Sequence, residues 1–262
     1  MSLSSPPYCD AIDRVAPTRR PVGRSVMRQR WAHLLFLHWV VPADALAGLL
    51  PAGLDLDTYD GQAYVGLIPF TMTGVRPWWA PALPWLSAFH EVNVRTYVHR
   101  QGRDPGVWFI SLDAASQLAV RLARWRFHLP YYHARMSMTF ERERGRADLE
   151  PEVIYHSERL GQERLGPGCT LRYRPTGRPA PARPGTLEHF LVERYILYAH
   201  AGRSLYEGRV HHASYPLQTA EVHAMDENLV AAAGIRPSSV TPLVHYASEV
   251  RVEVFPLEAV SI

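Results

Sequence analysis

Alternation of apolar and polar residues, together with short continuous apolar runs, covers most of the chain, and both patterns indicate β-strands. The run SVMRQRWAHLLFLHWVV predicts a long buried strand. VHYASEVRVEVFPLEAV predicts the last strand of the chain. Further strands and hairpins are predicted in GQAYVGLIPFTMTGVRP, HEVNVRTYVHRQGRDPGVWFISLD and HARMSMTFERERGRADLEPEVIYHSE.

Helices are predicted to be few and short. PADALAGLLPAG and DENLVAAAG each fit a short helix, with a proline or an acidic start and a glycine past the end. Asp113 is a candidate cap for a helix over AASQLAVRLARW, and Thr186 is one for the helix that follows it. The predicted apolar faces are, for the first, Leu118, Leu122 and Trp125, and, for the second, Leu187, Phe190, Leu191, Leu197 and Tyr198.

These elements do not alternate regularly as strand, helix, strand, so a doubly wound parallel sheet is not expected. The predicted fold class is α+β, mainly antiparallel β. We expect one domain over residues 25–262, preceded by a poorly ordered tail over residues 1–24. The proline-rich segment 174–185 is predicted to be a long surface connection within that domain.

The tail is basic: six arginines lie between Arg14 and Arg30, and no acidic residue occurs from Val15 to Ala43. A nucleic-acid-binding arm would need supporting aromatic residues or a known motif, and neither is present. We therefore predict no nucleic-acid partner.

Composition narrows the class of protein. The chain has 262 residues, of which 47% are hydrophobic and 20% charged, as in soluble globular proteins. Its most apolar stretch is interrupted by histidine, proline and aspartate, so no membrane partner is predicted. Two cysteines provide no disulfide framework, and no secretory signal is apparent; a cytoplasmic location is the expectation.

All 28 basic residues are arginine, and lysine does not occur. Arginine stays protonated and does not act as an amine nucleophile. Schiff-base chemistry through a lysine of this chain is therefore excluded.

Four polar residues share one face of the predicted strand EVNVRTYV: Glu91, Asn93, Arg95 and Tyr97. The opposite face carries valines and a threonine. The polar row presents an acceptor, an amide, a cation and a phenol to one ligand, and Arg95 suits a carboxylate. The alternative is a solvated face of an antiparallel sheet.

Other clusters point to structure rather than chemistry. His211, His212, Glu221, His223 and His245 contain ligand types for zinc, but adjacent histidines on a strand point to opposite faces, so no metal site is predicted. His189 and Glu193 are expected to pair on a helix surface. Asp60-Gly61 fits a hairpin turn. No phosphate loop, GxGxxG or GxSxG occurs, and no cofactor is predicted.

Several motifs together resemble the YqjF-like family of unknown function, which is grouped with the acetoacetate decarboxylase-like superfamily. They occur in that family's order over about residues 28–254 and include LLFLHWVVP, FHEVNVRTYV, GVWFISLDA, LPYYHARM and VHHASYPLQTAE. The resemblance implies curved antiparallel sheets that form a cone or partial barrel around a central cavity, with a few outer helices. If so, the polar face of EVNVRTYV lines that cavity.

In the decarboxylases a lysine after a proline forms a Schiff base with a β-keto acid. The resemblance places Pro130 at that proline and Tyr131 at the lysine, with Tyr132 as the alternative if the alignment slips by one residue. Glu91 then matches a cavity glutamate, and Arg95 supplies a cation. His128 and His133, in the same segment FHLPYYHARM, are secondary candidates for ligand contacts.

The main functional hypothesis is a cavity protein that binds a small acidic or carbonyl-containing molecule and uses acid–base chemistry through Glu91 and a tyrosine hydroxyl. Arg95 would anchor the anion, with Asn93 and Tyr97 as further contacts. The alternative is a non-catalytic ligand sensor or a homo-oligomeric assembly module, and a metal-dependent enzyme is a third, less favoured one. In the sensor or assembly module Trp78, Trp79 and Trp85 of RPWWAPALPW would form a lid or a dimer contact.

Overall fold

A computed structural model describes residues 12–81, 88–143, 145–146, 149–161 and 166–260 of the chain. Within these ranges twelve β-strands and four α-helices occur, so strands dominate. The first half contains β1 Met27–Val41, α1 Ala43–Ala47, β2 Asp55–Leu56, β3 Ala63–Pro77, β4 Phe89–Arg100, β5 Arg103–Ala114, α2 Gln117–Phe127 and β6 Tyr131–Glu141. The second half contains β7 Glu152–Arg159, β8 Gly168–Ala180, α3 Leu187–Val192, β9 Ile196–Ala201, β10 Ser204–His211, β11 Leu217–Glu227, α4 Leu229–Ala232 and β12 Leu243–Val260.

The twelve strands form one sheet that closes on itself. Their order is β10-β9-β5-β6-β7-β8-β11-β12-β1-β3-β4-β2, and two further pairings, β10 with β12 and β5 with β4, close two rings. The larger ring contains β6, β7, β8 and β11, the smaller contains β9 and β10, and both share β1, β3, β4, β5 and β12. The strand pairs are antiparallel except β5 with β6 and β5 with β9. The predicted class, mainly antiparallel curved sheet with few helices, is confirmed.

Bulges keep the same side of three strands turned toward the interior of the smaller ring. On β1, five residue steps from Ala32 to Leu37 oppose four on β3, and His33 has φ +54°. The bulge lets Trp31 and Leu34, three residues apart, face the same way. The same three-residue step separates inward-facing Met72 from Val75 on β3, and Phe109 from Leu112 on β5, each across a shift in register.

Each ring holds its own apolar core because both faces of the shared strands are covered. Leu35, Leu37 and Trp39 of β1 point into the larger ring, where they pack with Tyr155, Leu171 and Tyr173. Their neighbours Leu34 and Phe36 point into the smaller ring and pack with Phe70, Phe190 and Tyr215. Residues that alternate on one strand therefore belong to two different cores.

Helix α2 differs from its prediction in both its cap and its buried face. Ser116 caps it by accepting a hydrogen bond from the Ala119 amide, whereas β5 runs on through Asp113, whose carboxylate binds Arg159. Most of the predicted apolar stripe faces outward: the exposed fractions of Leu118 and Trp125 are 54% and 74%, whereas Leu122, 46% exposed, also lines an internal cavity. The prediction was wrong because the opposite face, with Val120, packs on the sheet.

Helix α3 is shorter than predicted and ends at Val192. Thr186 does cap it, through a hydrogen bond from the His189 amide. The following residues turn away, and Leu197 and Tyr198, predicted on the apolar face of this helix, lie on β9. The predicted surface connection 174–185 is also corrected, because β8 continues to Ala180.

Part of the predicted tail contacts the strands. The guanidinium of Arg14 forms an ion pair with Asp57, and that of Arg20 pairs with Glu253 of β12 at 2.7 Å. Residues 16–18 form a single 3₁₀ turn between them. Residues 1–11 of the predicted tail lie outside the described ranges.

The predicted tryptophan lid or dimer contact is described only in part. Trp78 and Trp79 are exposed, whereas Trp85 lies outside the described residues; the lid or dimer contact and the homo-oligomer stay predictions. No helix in the described part of the chain is long and apolar enough to cross a membrane.

The predicted turn at Asp60-Gly61 is confirmed, since both residues have positive φ and Tyr59 pairs with Gln62.

Gly106 sets how closely β5 approaches β9 beneath the smaller core. A Cβ at this position would lie 2.6 Å from the Ile196 carbonyl oxygen, a backbone atom that cannot move alone. We expect Gly106→Ala to lower the free energy of unfolding by about 1–3 kcal/mol, as overpacking does. Denaturant unfolding followed by tryptophan fluorescence measures this change.

Gly48→Ala is the matched control. Gly48 ends α1 with φ −67°, and the nearest atom to an added Cβ is 3.8 Å away. The same substitution should here leave stability unchanged or raise it by about 0.4–1 kcal/mol. Equal effects at the two glycines would contradict the close approach of β5 and β9.

Candidate functional site

A cavity of about 170 Å³ lies inside the smaller ring, beside the smaller core. Its wall is mostly apolar, with aromatic rings contributed by several strands, among them Trp31, Phe70, Phe89 and Phe109. The charged and amide side chains on the wall are Gln29, Glu91, Asn93, Arg95 and Arg194, and two tyrosines, Tyr131 and Tyr215, add hydroxyl groups.

Strand β4 supplies the polar row, and its alternation is as predicted. Glu91, Asn93 and Arg95 are all buried and line the cavity. Val92 and Val94, between them, point into the larger core. Given a rise of about 3.3 Å per residue, Glu91 and Arg95 mark two ends of a wall roughly 13 Å long. The row faces the cavity and not the solvent.

At one end of the row Glu91 is held by two tyrosines. The Tyr131 hydroxyl donates to Glu91 Oε2 at 2.8 Å, and the Tyr155 hydroxyl donates to the Glu91 backbone oxygen at 2.8 Å. Burial raises the pKa of Glu91 to about 8, and hydrogen bonds from Tyr131 and Asn93 oppose that rise. The Glu91 carboxyl is therefore mostly protonated and neutral at pH 7.

The segment around Pro130 places one tyrosine inside and the other outside. Tyr131 starts β6 alongside β5, where it pairs with Leu112, and Leu129 and Tyr131 both line the cavity. Tyr132 points the other way: 42% of it is exposed, and the Arg159 guanidinium lies 4.0 Å from its ring centroid. Tyr131, not Tyr132, faces Glu91.

At the other end of the row, Arg95 is buried, and the residues that the structure describes provide no counter-ion for it. Its Nη2 donates to the Leu191 carbonyl oxygen at 3.2 Å, and Phe36 and Tyr97 rings lie 5.8 Å away. Its Nε has no hydrogen-bond partner, and no ion pair of Arg95 is found among the described residues. Burying a charge in this way costs free energy unless something pairs with it.

The C-terminal end of α3 binds the guanidinium groups at this end of the cavity. The last carbonyls of a helix lack intrahelical partners and carry partial negative charge. Leu191 O accepts from both Arg95 and the Tyr97 hydroxyl, and Phe190 O accepts from Arg194 Nε at 2.7 Å. Because α3 ends at Val192, these carbonyls are free to bind the guanidinium groups of Arg95 and Arg194.

Arg194 is a second cation on the cavity wall, and it was not among the predicted site residues. Its Nη1 pairs with Asp57 at 2.8 Å, while its Nη2 has no partner in the described part of the chain. Asp57 also pairs with Arg14. The signal in the sequence is a charged pair, Glu193 and Arg194, inside the otherwise apolar run HFLVERYILY, where each charge needs a buried partner.

The remaining predicted site residues lie outside the lining. Tyr97 stands behind Arg95, where its hydroxyl also bonds His38 Nε2 at 2.6 Å. His128 ends α2 in a left-handed conformation with its ring 5.4 Å from that of Tyr206. His133 is half-buried on β6 and does not line the cavity. Like Tyr132, these three residues do not line the cavity.

His189 and Glu193 were predicted to pair on the surface, and this prediction was wrong. Both are buried, and the Glu193 carboxylate accepts from the Tyr195 hydroxyl at 2.5 Å and the Tyr215 amide at 2.9 Å. Within the described ranges no three or more His, Cys, Asp or Glu side chains form a group that could hold a metal ion.

Comparison with known proteins identifies the family of this chain. The model of the DUF2071 family, described as an uncharacterized conserved protein, matches residues 28–251. Uncharacterized protein YqjF of Bacillus subtilis (strain 168) is 39% identical over 237 residues, which cover 90% of this chain and 93% of that protein. The predicted resemblance to the YqjF-like family is therefore confirmed.

Solved structures with the same fold include three related proteins. Acetoacetate decarboxylase from Legionella pneumophila matches with a TM-score of 0.62 and 12% identity, over 99% of this chain and 98% of that one. An acetoacetate decarboxylase-like enzyme from Sphingomonas wittichii RW1 matches at 0.60 with 15% identity, over 91% and 94%. The enduracididine biosynthesis enzyme MppR, complexed with pyruvate, matches at 0.60 with 11% identity, over 92% of each chain. The predicted acetoacetate decarboxylase-like fold is confirmed.

The raised pKa of Glu91 predicts how stability depends on pH. Between the ordinary pKa of 4.5 and about 8, the folded protein retains a proton at Glu91 that the unfolded chain has lost, so stability falls as pH rises. From about pH 5.5 to 7.5, we expect the wild type to lose about 2 kcal/mol relative to Glu91→Gln. Denaturant unfolding at both pH values measures the difference.

Glu91→Gln is its own control for other titrating groups. Burial also raises the pKa of Asp113 to about 6, but this contribution is present in both proteins and cancels in the difference. Parallel pH profiles for the two proteins would mean that Glu91 is ionised in the folded state.

The inward and outward tyrosines predict unequal effects of the same substitution. Tyr131→Phe removes the donor to Glu91 and leaves a buried oxygen unpaired, so unfolding should become easier by about 1–3 kcal/mol. Tyr132→Phe, at an exposed position, should change stability by no more than about 0.5 kcal/mol. Chemical denaturation compares them, and a larger effect at Tyr132 would reverse the assignment.

Proposed function

The chain belongs to the DUF2071 family, and we propose that it binds a small monocarboxylic acid with a short apolar body in the cavity of the smaller ring. Arg95 holds the carboxylate, and Glu91 with Tyr131 supplies a proton donor at the other end of the polar row. The fold is the one found in acetoacetate decarboxylase-like enzymes.

The observation that carries this proposal is that Arg95 has no carboxylate partner among the described residues. Its guanidinium lines the cavity, its Nε lacks a partner among the described residues, and no carboxylate there neutralises it. A carboxylate is the usual partner for such a group, because it accepts charge-assisted hydrogen bonds from guanidinium donors.

The charge balance of the site favours a monoanion. Arg194 and Arg14 share Asp57, whereas Arg95 has no carboxylate beside it in the described part of the chain. Glu91 is mostly neutral at pH 7 because burial raises its pKa to about 8. The positive charge of Arg95 therefore lacks a partner, and one carboxylate neutralises it.

The size and the wall of the cavity limit the rest of the ligand. A volume of about 170 Å³ is close to that of cavities that hold a benzene-sized molecule, about 150 Å³. The aromatic wall favours an apolar body over a second charge. Pyruvate, a small carboxylate with a carbonyl group, is present in the MppR structure of the same fold, in agreement with this ligand class.

The chemistry available to the bound acid is proton transfer. A neutral carboxyl near its pKa is a suitable general acid at neutral pH, and Tyr131 donates a hydrogen bond that steadies it. No lysine of this chain can form a Schiff base, so a carbonyl group on the ligand would be polarised by hydrogen bonding instead. A non-catalytic sensor would use the same contacts without the proton step.

Binding of butyrate tests the proposal. We expect isothermal titration calorimetry to detect butyrate binding to the wild type and not to detect butyramide, which has the same size and no charge. Arg95→Met keeps the side-chain volume and removes the charge, so affinity should fall by roughly tenfold or more, the value of a hydrogen bond to a charged group.

Arg135→Met is the matched control, since the Arg135 side chain is 73% exposed on β6 and outside the cavity. It should bind butyrate as the wild type does. Equal binding of butyrate by the Arg95 and Arg135 variants, or of butyramide and butyrate by the wild type, would contradict the assignment of Arg95.

A further inference from the structure

Two polar atoms on the cavity wall, close together on β4, lack partners within the described part of the chain. They are Asn93 Oδ1 and Arg95 Nε. The two side chains share one strand face two residues apart, roughly 6.6 Å between Cα atoms. Asn93 is 4% exposed and Arg95 is 8% exposed, so water outside the protein does not compensate them.

The two atoms make opposite demands. Arg95 Nε–H is a donor and needs an acceptor, which the carboxylate of the proposed ligand provides. Asn93 Oδ1 is an acceptor and needs a donor. Leaving either group unpaired in a buried site costs free energy that a complementary ligand recovers.

We propose that the ligand of this cavity is a hydroxy acid, whose hydroxyl group donates to Asn93 Oδ1 while its carboxylate accepts from Arg95. This inference rests on the proposed function and specifies its substrate class. A plain acid leaves Asn93 Oδ1 unpaired. A keto acid places a second acceptor against it. A hydroxyl group next to the carboxylate, or one carbon further away, has the donor at the right end of the molecule.

Arg194 is consistent with this arrangement. Its Nη2 is a third unpartnered polar atom on the wall, and it is a donor. With Arg95 Nε it makes a donor available for each oxygen of a carboxylate, whereas Asn93 Oδ1 is the acceptor left for the hydroxyl. A site built with such polar partners discriminates strongly against an analogue that lacks the matching group.

Three acids of equal chain length test the inference: butyrate, α-ketobutyrate and α-hydroxybutyrate. Calorimetry with the wild type should show α-hydroxybutyrate binding on the order of tenfold more tightly than either of the others. Asn93→Leu removes the acceptor at similar volume. It should reduce α-hydroxybutyrate affinity to that of butyrate and leave butyrate affinity nearly unchanged.

Gln29→Leu is the matched control, because Gln29 is a second amide on the same wall whose groups are already paired. Its Oε1 accepts from Trp31 Nε1 at 2.8 Å and its Nε2 lies 3.0 Å from Met27 Sδ. The ratio of α-hydroxybutyrate to butyrate affinity should stay as in the wild type.

The outcomes separate this inference from the proposal beneath it. If the wild type binds all three acids equally, or prefers the keto acid, the hydroxy-acid assignment is overturned while acid binding stands. If it binds none of them, the proposed function fails and this inference fails with it. The wild-type comparison alone decides both points even if Asn93→Leu does not fold.

Discussion

A sheet that closes into two rings cannot expose either face of the strands that both rings share. Strand β4 is such a strand, so the alternate residues Glu91, Asn93 and Arg95 are buried although each is polar. In an open sheet the same row would lie in water and would not indicate a binding site. Closure of the sheet converts an ordinary polar strand face into a row of groups that must find partners inside the protein.

The residues at the two ends of this row meet the need for a buried partner in different ways. Glu91 takes up a proton, because burial raises its pKa more than the hydrogen bond from Tyr131 lowers it. Arg95 keeps its charge and is held by a carbonyl of α3, which leaves Nε unpaired. One end is therefore a neutral proton donor and the other a cation without a counter-ion among the described residues, with Asn93 between them and a mostly apolar wall around them. That polarity suits an amphipathic acid of few atoms.

Local pattern predicted the parts of this site that depend on strand periodicity. The alternation of EVNVRTYV places three polar side chains on one face wherever the strand lies, so Glu91, Asn93 and Arg95 could be recognised from the sequence. The ring closure that buries them depends on pairings between distant strands and came only from a family resemblance. The resemblance to the decarboxylases left Tyr131 and Tyr132 open, since a slip of one residue in the alignment exchanges the two faces of a strand.

The failures share a physical cause: a buried partner overrode a local preference. Asp113 can cap a helix, yet it is bound by Arg159 and stays in β5. The apolar pattern continues past Val192, yet Glu193 and Arg194 leave the helix for partners on other elements. His189 and Glu193 stand four apart as a surface pair would, yet both are buried. The partners Arg159, Tyr215 and Asp57 are 46, 22 and 137 residues away in the sequence, beyond the reach of a helical pattern.

The most direct test of the account is a crystal structure of the protein with butyrate, because it shows which end of the polar row binds the carboxylate. The account predicts a carboxylate oxygen about 3 Å from Arg95 Nε, with the hydrocarbon chain among the aromatic rings of Phe70, Phe89 and Phe109. A carboxylate bound instead beside Glu91 and Tyr131, or an empty cavity in saturating butyrate, would contradict it.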